Sequence, residues 1–109
     1  MTDLASLIAR LEAAERPLGS DSAYDMAEDI GDAVGLDTEA RWRLRDALMG
    51  SLDSALSLAP EGCAVDFKRF QNTGDGWACV WTARGNRSGN GKTVAIALTA
   101  AALKAWAQG

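Results

Sequence analysis

Apolar residues recur at three- and four-residue intervals near the start of the chain, the spacing of one face of an α-helix. This run predicts a first helix that Thr2 or Asp3 caps and Pro17 closes. A second run predicts another amphipathic helix, beginning at Ser20 or Ser22. The apolar stripes are Leu4, Leu7, Ile8, Leu11 and Ala14 in the first helix and Ala23, Ala27, Ile30 and Val34 in the second.

Gly35 is placed to end the second helix, because glycine readily adopts the left-handed conformation that terminates helices. A third helical pattern starts at Asp37 or Thr38. Gly50 is expected to interrupt it, and a new N-cap at Ser51 would start a short fourth helix. The alternative is one long helix with a weak glycine inside it, so the sequence leaves open whether residues 38 to 59 form one helix or two.

The periodicity changes in the second part of the chain. Residues 64 to 70 and 77 to 82 alternate loosely and flank a turn-rich segment at 72 to 76, which predicts two strands of a β-hairpin. Residues 93 to 107 then form an alanine-rich helix with Thr93 as its cap. Its apolar side chains point in nearly all directions, so we expect contact with the hairpin on one side and other helices or a second subunit on the other.

These elements predict an α+β fold that combines N-terminal helices, a β-hairpin (a small antiparallel sheet) and a buried alanine-rich C-terminal helix. We expect one domain over residues 1 to 109, with a helical part at 1 to 61 and the hairpin and last helix at 62 to 109. A two-stranded hairpin is marginally stable alone, so the sheet would gain strands from a second copy or have its edge covered, and we favour the homodimer.

Charge is divided unevenly along the chain. The 109 residues carry a net charge of −4, but residues 1 to 61 hold 13 acids and 5 bases, whereas residues 62 to 109 hold 2 acids and 6 bases. The helical half is therefore acidic and the hairpin half is basic.

The second helix carries a run of carboxylates opposite its apolar stripe, which we interpret as a face that could bind a basic partner protein. The ordinary interpretation is a solvated face whose early acids favour the helix dipole. These residues are Asp21, Asp25, Glu28, Asp29 and Asp32.

A basic set near the hairpin is the candidate for anion or nucleic-acid binding. The aromatic residues among these bases, Phe67, Phe70, Trp77 and Trp81, could stack on nucleotide bases. We favour instead an aromatic core face with bases outside, since the net charge repels nucleic acid. The basic set is Lys68, Arg69, Arg84, Arg87 and Lys92.

The glycine-rich segment at 85 to 93 resembles a phosphate-binding loop between a strand and a helix. Five residues separate Gly85 from Gly91, whereas that motif requires four, so nucleotide hydrolysis is not expected. A glycine-rich turn that presents amides and Lys92 at a helix N-terminus could still bind phosphate or sulfate.

Candidate catalytic chemistry is scarce. The chain has no histidine, which removes the most common general base and the usual zinc ligand. No calcium-loop or paired-cysteine zinc pattern occurs, and we predict neither a metal nor a cofactor. An enzyme would depend on a residue such as Cys79, with its thiolate favoured by nearby arginines.

The compartment follows from the cysteines and the first residues. Met1-Thr2-Asp3 carries neither a basic region nor an apolar leader, so we expect a cytoplasmic chain with Cys63 and Cys79 reduced. The longest apolar run, at 94 to 103, has about half the length that a membrane span needs.

Three segments have a distinctive order of residues: Asp-Leu-x-x-Leu-Ile-x-Arg-Leu-Glu-x-Ala at 3 to 14, Ser-Leu-Asp-x-Ala-Leu with Pro-Glu-Gly at 51 to 62, and Thr-x-Ala-x-Ala-Leu at 93 to 105. In these segments the chain resembles the phage ABA sandwich domain family of small phage and prophage proteins. The stretch at 39 to 49 departs from the family in being more helical. The resemblance implies an α/β sandwich of phage or prophage origin, with no reaction or catalytic residues to transfer.

We therefore expect a non-enzymatic, phage-encoded protein that binds a host or phage protein and inhibits a host defence factor. The alternative is a nucleic-acid-binding accessory or virion-associated protein that uses the basic hairpin and the glycine-rich loop.

Overall fold

A computed structural model describes residues 4 to 14 and 18 to 107. The chain forms five helices and a three-stranded antiparallel sheet, which confirms the α+β prediction. The predicted Thr2 or Asp3 cap and the Pro17 stop lie outside the described residues. The elements are α1 (Leu4–Ala13), α2 (Ser20–Val34), α3 (Thr38–Leu48), α4 (Leu52–Leu58), β1 (Ala64–Arg69), β2 (Gly76–Thr82), β3 (Gly85–Gly91) and α5 (Val94–Ala107).

Local capping residues set most of the helix boundaries. The Asp37 carboxylate accepts a hydrogen bond from the third residue of the following turn, at 2.8 Å. Gly35 ends α2 in the left-handed conformation, with φ at 76°, as predicted. The predicted cap of α2 is wrong, because Gly19 occupies that position without a side-chain bond and Ser20 is already helical.

Residues 38 to 59 form two helices, which resolves the open alternative. Gly50 has φ at 113°, which a residue with a side chain rarely adopts, and the chain turns there. Ser51 then caps α4 by accepting a hydrogen bond from the backbone N–H of Ser54.

The predicted hairpin is extended by a third strand, and the predicted glycine-rich loop is that strand. In the order β1-β2-β3, Ala78 of β2 lies opposite Phe67 of β1 and Gly89 of β3. A Cβ atom on Gly89 would meet the carbonyl oxygen of Ala97 and lie 2.7 Å from the amide nitrogen of Ala101. The glycine thus allows α5 to approach the sheet at backbone distance.

Helix α5 lies between the sheet and the other helices, as predicted from the apolar side chains that point in nearly all directions around it. It packs on β2 and β3 on one side and on α1, α3 and α4 on the other, while α2 packs on α1 and α3. Thr93 caps it by accepting a hydrogen bond from the N–H of Ile96 at 3.1 Å. All residues from Ala95 to Leu103 are buried, including Thr99, whose hydroxyl donates to the carbonyl of Ala95 at 2.7 Å.

The expected aromatic core face does not form on β2. Its residues that face α5 are small, namely Gly76, Ala78 and Val80, so the alternation of the strand directs Trp77 and Trp81 to the opposite side. The close approach of α5 requires small residues beneath it and leaves no space there for indole rings.

Two charged side chains cover the free edge of β3. Glu12 of α1 accepts a hydrogen bond from the N–H of Asn90 at 2.9 Å, and Lys104 of α5 donates to the carbonyl of Ser88 at 2.9 Å. Glu12 and Lys104 also form an ion pair at 3.1 Å. The third strand removes the reason for the homodimer prediction, since the sheet does not depend on a second chain for a third strand.

None of the described helices has the length and hydropathy needed to span a membrane. Cys63 and Cys79 are both free thiols, and Cys79 lies opposite Asp66, near the middle of β1.

Candidate functional site

The five predicted carboxylates of α2 divide into two groups. Asp21, Asp25 and Asp29 follow one another at four-residue intervals and are all exposed; we call them the carboxylate row. Glu28 and Asp32 lie toward α3, where both bind the guanidinium group of Arg41.

Arg41 connects the end of α2 to α3. Its Nη1 donates to Glu28 Oε2 at 3.0 Å and to Asp32 Oδ1 at 2.9 Å, while its Nε donates to the carbonyl of Leu36 at 2.9 Å. These contacts raise the pKa of Arg41 above its ordinary value, chiefly through the hydrogen bond to Asp32. Gly31 gives the side chain room, since a Cβ there would lie 2.6 Å from Nε of Arg41.

A groove of about 430 Å³ lies between α2 and α3, beside the carboxylate row; we call it the α2–α3 groove. Tyr24 and Trp42 line it, and each is 51% exposed. Tyr24 lies between Asp21 and Asp25 in sequence, so the aromatic and acidic features are adjacent on α2. The other residues that line the groove are Ala27, Glu28, Leu36, Asp37, Thr38, Arg41 and Arg45.

Arg45 gives the groove a hydrogen-bond donor. Its guanidinium carbon lies 4.8 Å from the centre of the Trp42 ring, a cation–π contact that holds the side chain along α3. Its Nε is buried and finds no hydrogen-bond partner among the described residues.

The groove thus offers aromatic surface, a donor at Arg45 and carboxylates outside it. Arg41 is already bound to two carboxylates, so the other charges at the groove are the cation of Arg45, which lines it, and the carboxylate row outside it. A protein segment with apolar and basic side chains matches these features, because its carbonyls accept hydrogen bonds and its cations pair with carboxylates.

Sequence reasoning missed Tyr24 and Trp42 as site residues. Trp42 lies within the third helical pattern of the sequence, where an apolar residue suggests a core position, and Tyr24 lies among acids on α2. One signal was present: a large aromatic within a polar helix face has no core to enter. The two aromatic side chains line the same groove only because of how α2 packs on α3, and neither segment of the sequence specifies that packing alone.

The predicted basic set is not gathered on one surface. Lys68 and Arg69 point to opposite faces of the sheet because they are consecutive in β1. Arg84 precedes β3 and Lys92 follows it, which separates them by about 25 Å at the usual rise per strand residue. Lys92 pairs with Asp75 at 3.4 Å, and Arg87 lies opposite Val80 on the α5 side. The glycine-rich phosphate loop is absent, since those residues form β3.

Reactive groups are equally dispersed. Within residues 4 to 14 and 18 to 107, no three acids or cysteines come together in a way that could hold a metal ion. Cys79, the proposed nucleophile of the enzyme hypothesis, is only 1% exposed, so a substrate has no access to its sulfur.

Comparisons of the chain with protein-family models, with curated proteins and with solved structures find no match.

Proposed function

We propose that this protein acts by binding another protein, through the α2–α3 groove and the carboxylate row beside it. The observation that carries the proposal is the pair of half-exposed aromatics, Tyr24 and Trp42, on a groove with acids outside it. Buried aromatic anchors provide most of the binding energy in protein interfaces, and the surrounding charges provide orientation and association rate.

The expected partner presents a basic surface with an apolar side chain at its centre. The apolar side chain would enter between Tyr24 and Trp42, and lysines or arginines around it would pair with Asp21, Asp25 and Asp29. Proteins that bind nucleic acid carry basic surfaces of this kind. The chain would then block such a surface without chemistry of its own.

The phage resemblance supports a biological setting for this role. We propose a phage or prophage protein that acts in the host cytoplasm, where Cys63 and Cys79 stay reduced, and that inhibits a host defence factor or regulates a phage protein.

The test is affinity capture from host lysate with four versions of the protein. Wild-type protein should retain one partner in stoichiometric amount, and high salt should release it. Asp25→Lys with Asp29→Lys should abolish capture, and Trp42→Ser should do the same by removing the anchor. The matched control, Asp53→Lys with Glu61→Lys, changes the net charge equally at exposed carboxylates away from the groove and should capture the partner as wild type does.

Circular dichroism establishes that each variant is folded before capture is compared. Equal capture by wild type and the Asp25→Lys, Asp29→Lys protein, or no capture from any of several hosts, would contradict the proposal.

A further inference from the structure

The sheet has one face that α5 covers and one face that it does not. Trp77, Cys79 and Trp81 alternate along β2 on the uncovered side, and Asp66 and Lys68 lie beside them on β1; we call these five residues the open face. Among the described elements, the helices that contact the sheet are α5 on the other side and α1 at the β3 edge.

The composition of the open face is unusual for a sheet surface in water. An antiparallel sheet with one buried side ordinarily exposes polar side chains on the other side. Here the central strand exposes Trp81 to 49%. Its neighbour on the same face, Cys79, is nearly inaccessible even so. A central aromatic side chain with charged residues at its side is the arrangement found at protein interfaces.

Charge indicates which partner fits the open face. It carries one acid, Asp66, and one base, Lys68, two residues apart on the same strand, and β3 contributes only Asn86, Ser88 and Asn90 on this side. Nucleic acid would meet a single cation and a strongly basic protein a single carboxylate, so neither is matched. In each copy the Lys68 ammonium lies 5.4 Å from the centre of the Trp77 ring and 5.1 Å from that of the Phe70 ring. A second copy is matched, because a two-fold axis that crosses β1 between Asp66 and Lys68 would bring each Asp66 to the partner's Lys68.

We propose that the open face is a self-complementary interface through which two copies of this chain associate. Trp77 and Trp81 provide its apolar surface, and two reciprocal ion pairs between Asp66 and Lys68 set its register. Pairing through the β3 edge is opposed by Glu12 and Lys104, which already bind the backbone there. No residue of the sheet lines the α2–α3 groove, so this interface leaves the proposed partner site free.

The first test removes the exposed tryptophan of β2. Sedimentation velocity over a range of micromolar concentrations should give a monomer–dimer equilibrium for wild type, and Trp81→Ser should weaken it by about 30-fold or more. Trp42→Ser is the matched control, since Trp42 is as exposed as Trp81 but lies on α3. It should dimerise like wild type. A wild-type monomer throughout, or a dimer that Trp81→Ser leaves unchanged, overturns the proposal.

The second test exploits the charge pattern. Asp66→Lys gives a face with two cations and Lys68→Glu a face with two carboxylates, so each variant should be monomeric alone because like charges meet across the axis. Mixing the two variants should restore a dimer of one copy of each. If the mixture associates no better than its components, the reciprocal pairing is wrong.

Discussion

At the scale of single residues, the absence of a side chain is what positions the central helix. Gly89 lies in the middle of β3, where glycine weakens a strand, yet α5 crosses it at backbone distance. Gly89→Ala should destabilise the fold by about 2 to 3 kcal/mol, because the added methyl group displaces the helix backbone rather than a flexible side chain. Chemical denaturation monitored by circular dichroism measures the change.

The control for this substitution is Gly19→Ala, the same chemical change where no atom lies within 4 Å of the added methyl group. Its cost should stay below about 1 kcal/mol, since only a helix cap is altered. If Gly89→Ala and Gly19→Ala lower the free energy of unfolding equally, the loss at Gly89 arises from strand propensity or chain entropy rather than from contact of the methyl group with α5.

Residue-level signals also explain what the sequence could predict. Caps such as Asp37, Ser51 and Thr93 act on the next turn of their own helix, so the sequence alone locates them. Strand β3 was missed because Gly85, Gly89 and Gly91 mark a loop by local propensity, and their strand role follows only from the packing of α5.

At the scale of elements, one arginine holds the two helices that form the groove. Arg41 makes three hydrogen bonds to α2 and the following turn. Arg41→Gln should lower the free energy of unfolding measurably, because it removes the charge-assisted hydrogen bonds to Glu28 and Asp32. Urea denaturation measures this loss.

Arg43 provides the comparison, since it lies two residues away and pairs with Glu39 within α3 on the exposed side. Arg43→Gln should cost less than about 0.5 kcal/mol, as exposed pairs at this spacing usually do. If Arg41→Gln and Arg43→Gln lower the free energy of unfolding by the same amount, the contacts of Arg41 with α2 stabilise the fold no more than an exposed ion pair does.

The groove shows why the candidate site could be predicted only in part. The acidic side of α2 is evident from the spacing of its carboxylates, but two of the five, Glu28 and Asp32, are occupied by Arg41. The partner of Arg41 lies 13 residues away in one case and 9 in the other. Side-chain pairing across helices depends on their relative rotation, which periodicity does not specify.

At the scale of the whole molecule, the charge division of the sequence becomes a division between layers. The acidic half forms α1 to α4 and the basic half forms the sheet and α5. Helix α5 belongs to the basic half by sequence but contacts both layers. It therefore couples the layer of α1 to α4 with the sheet, which otherwise contact each other mainly where α1 meets β3.

This position of α5 predicts that the layers unfold together. Leu98 is fully buried in α5, and Leu98→Ala should destabilise the fold by about 3 kcal/mol. Native-state hydrogen exchange of the slowest amides of β2 and of α2 should then become faster by the same factor, about 100-fold, although α2 packs mainly on α1 and α3. Leu56→Ala, at a residue that is already partly exposed, should increase the exchange rates of the β2 and α2 amides far less. Faster exchange in β2 with unchanged exchange in α2 would instead show two separately folding units, with the boundary near residue 61.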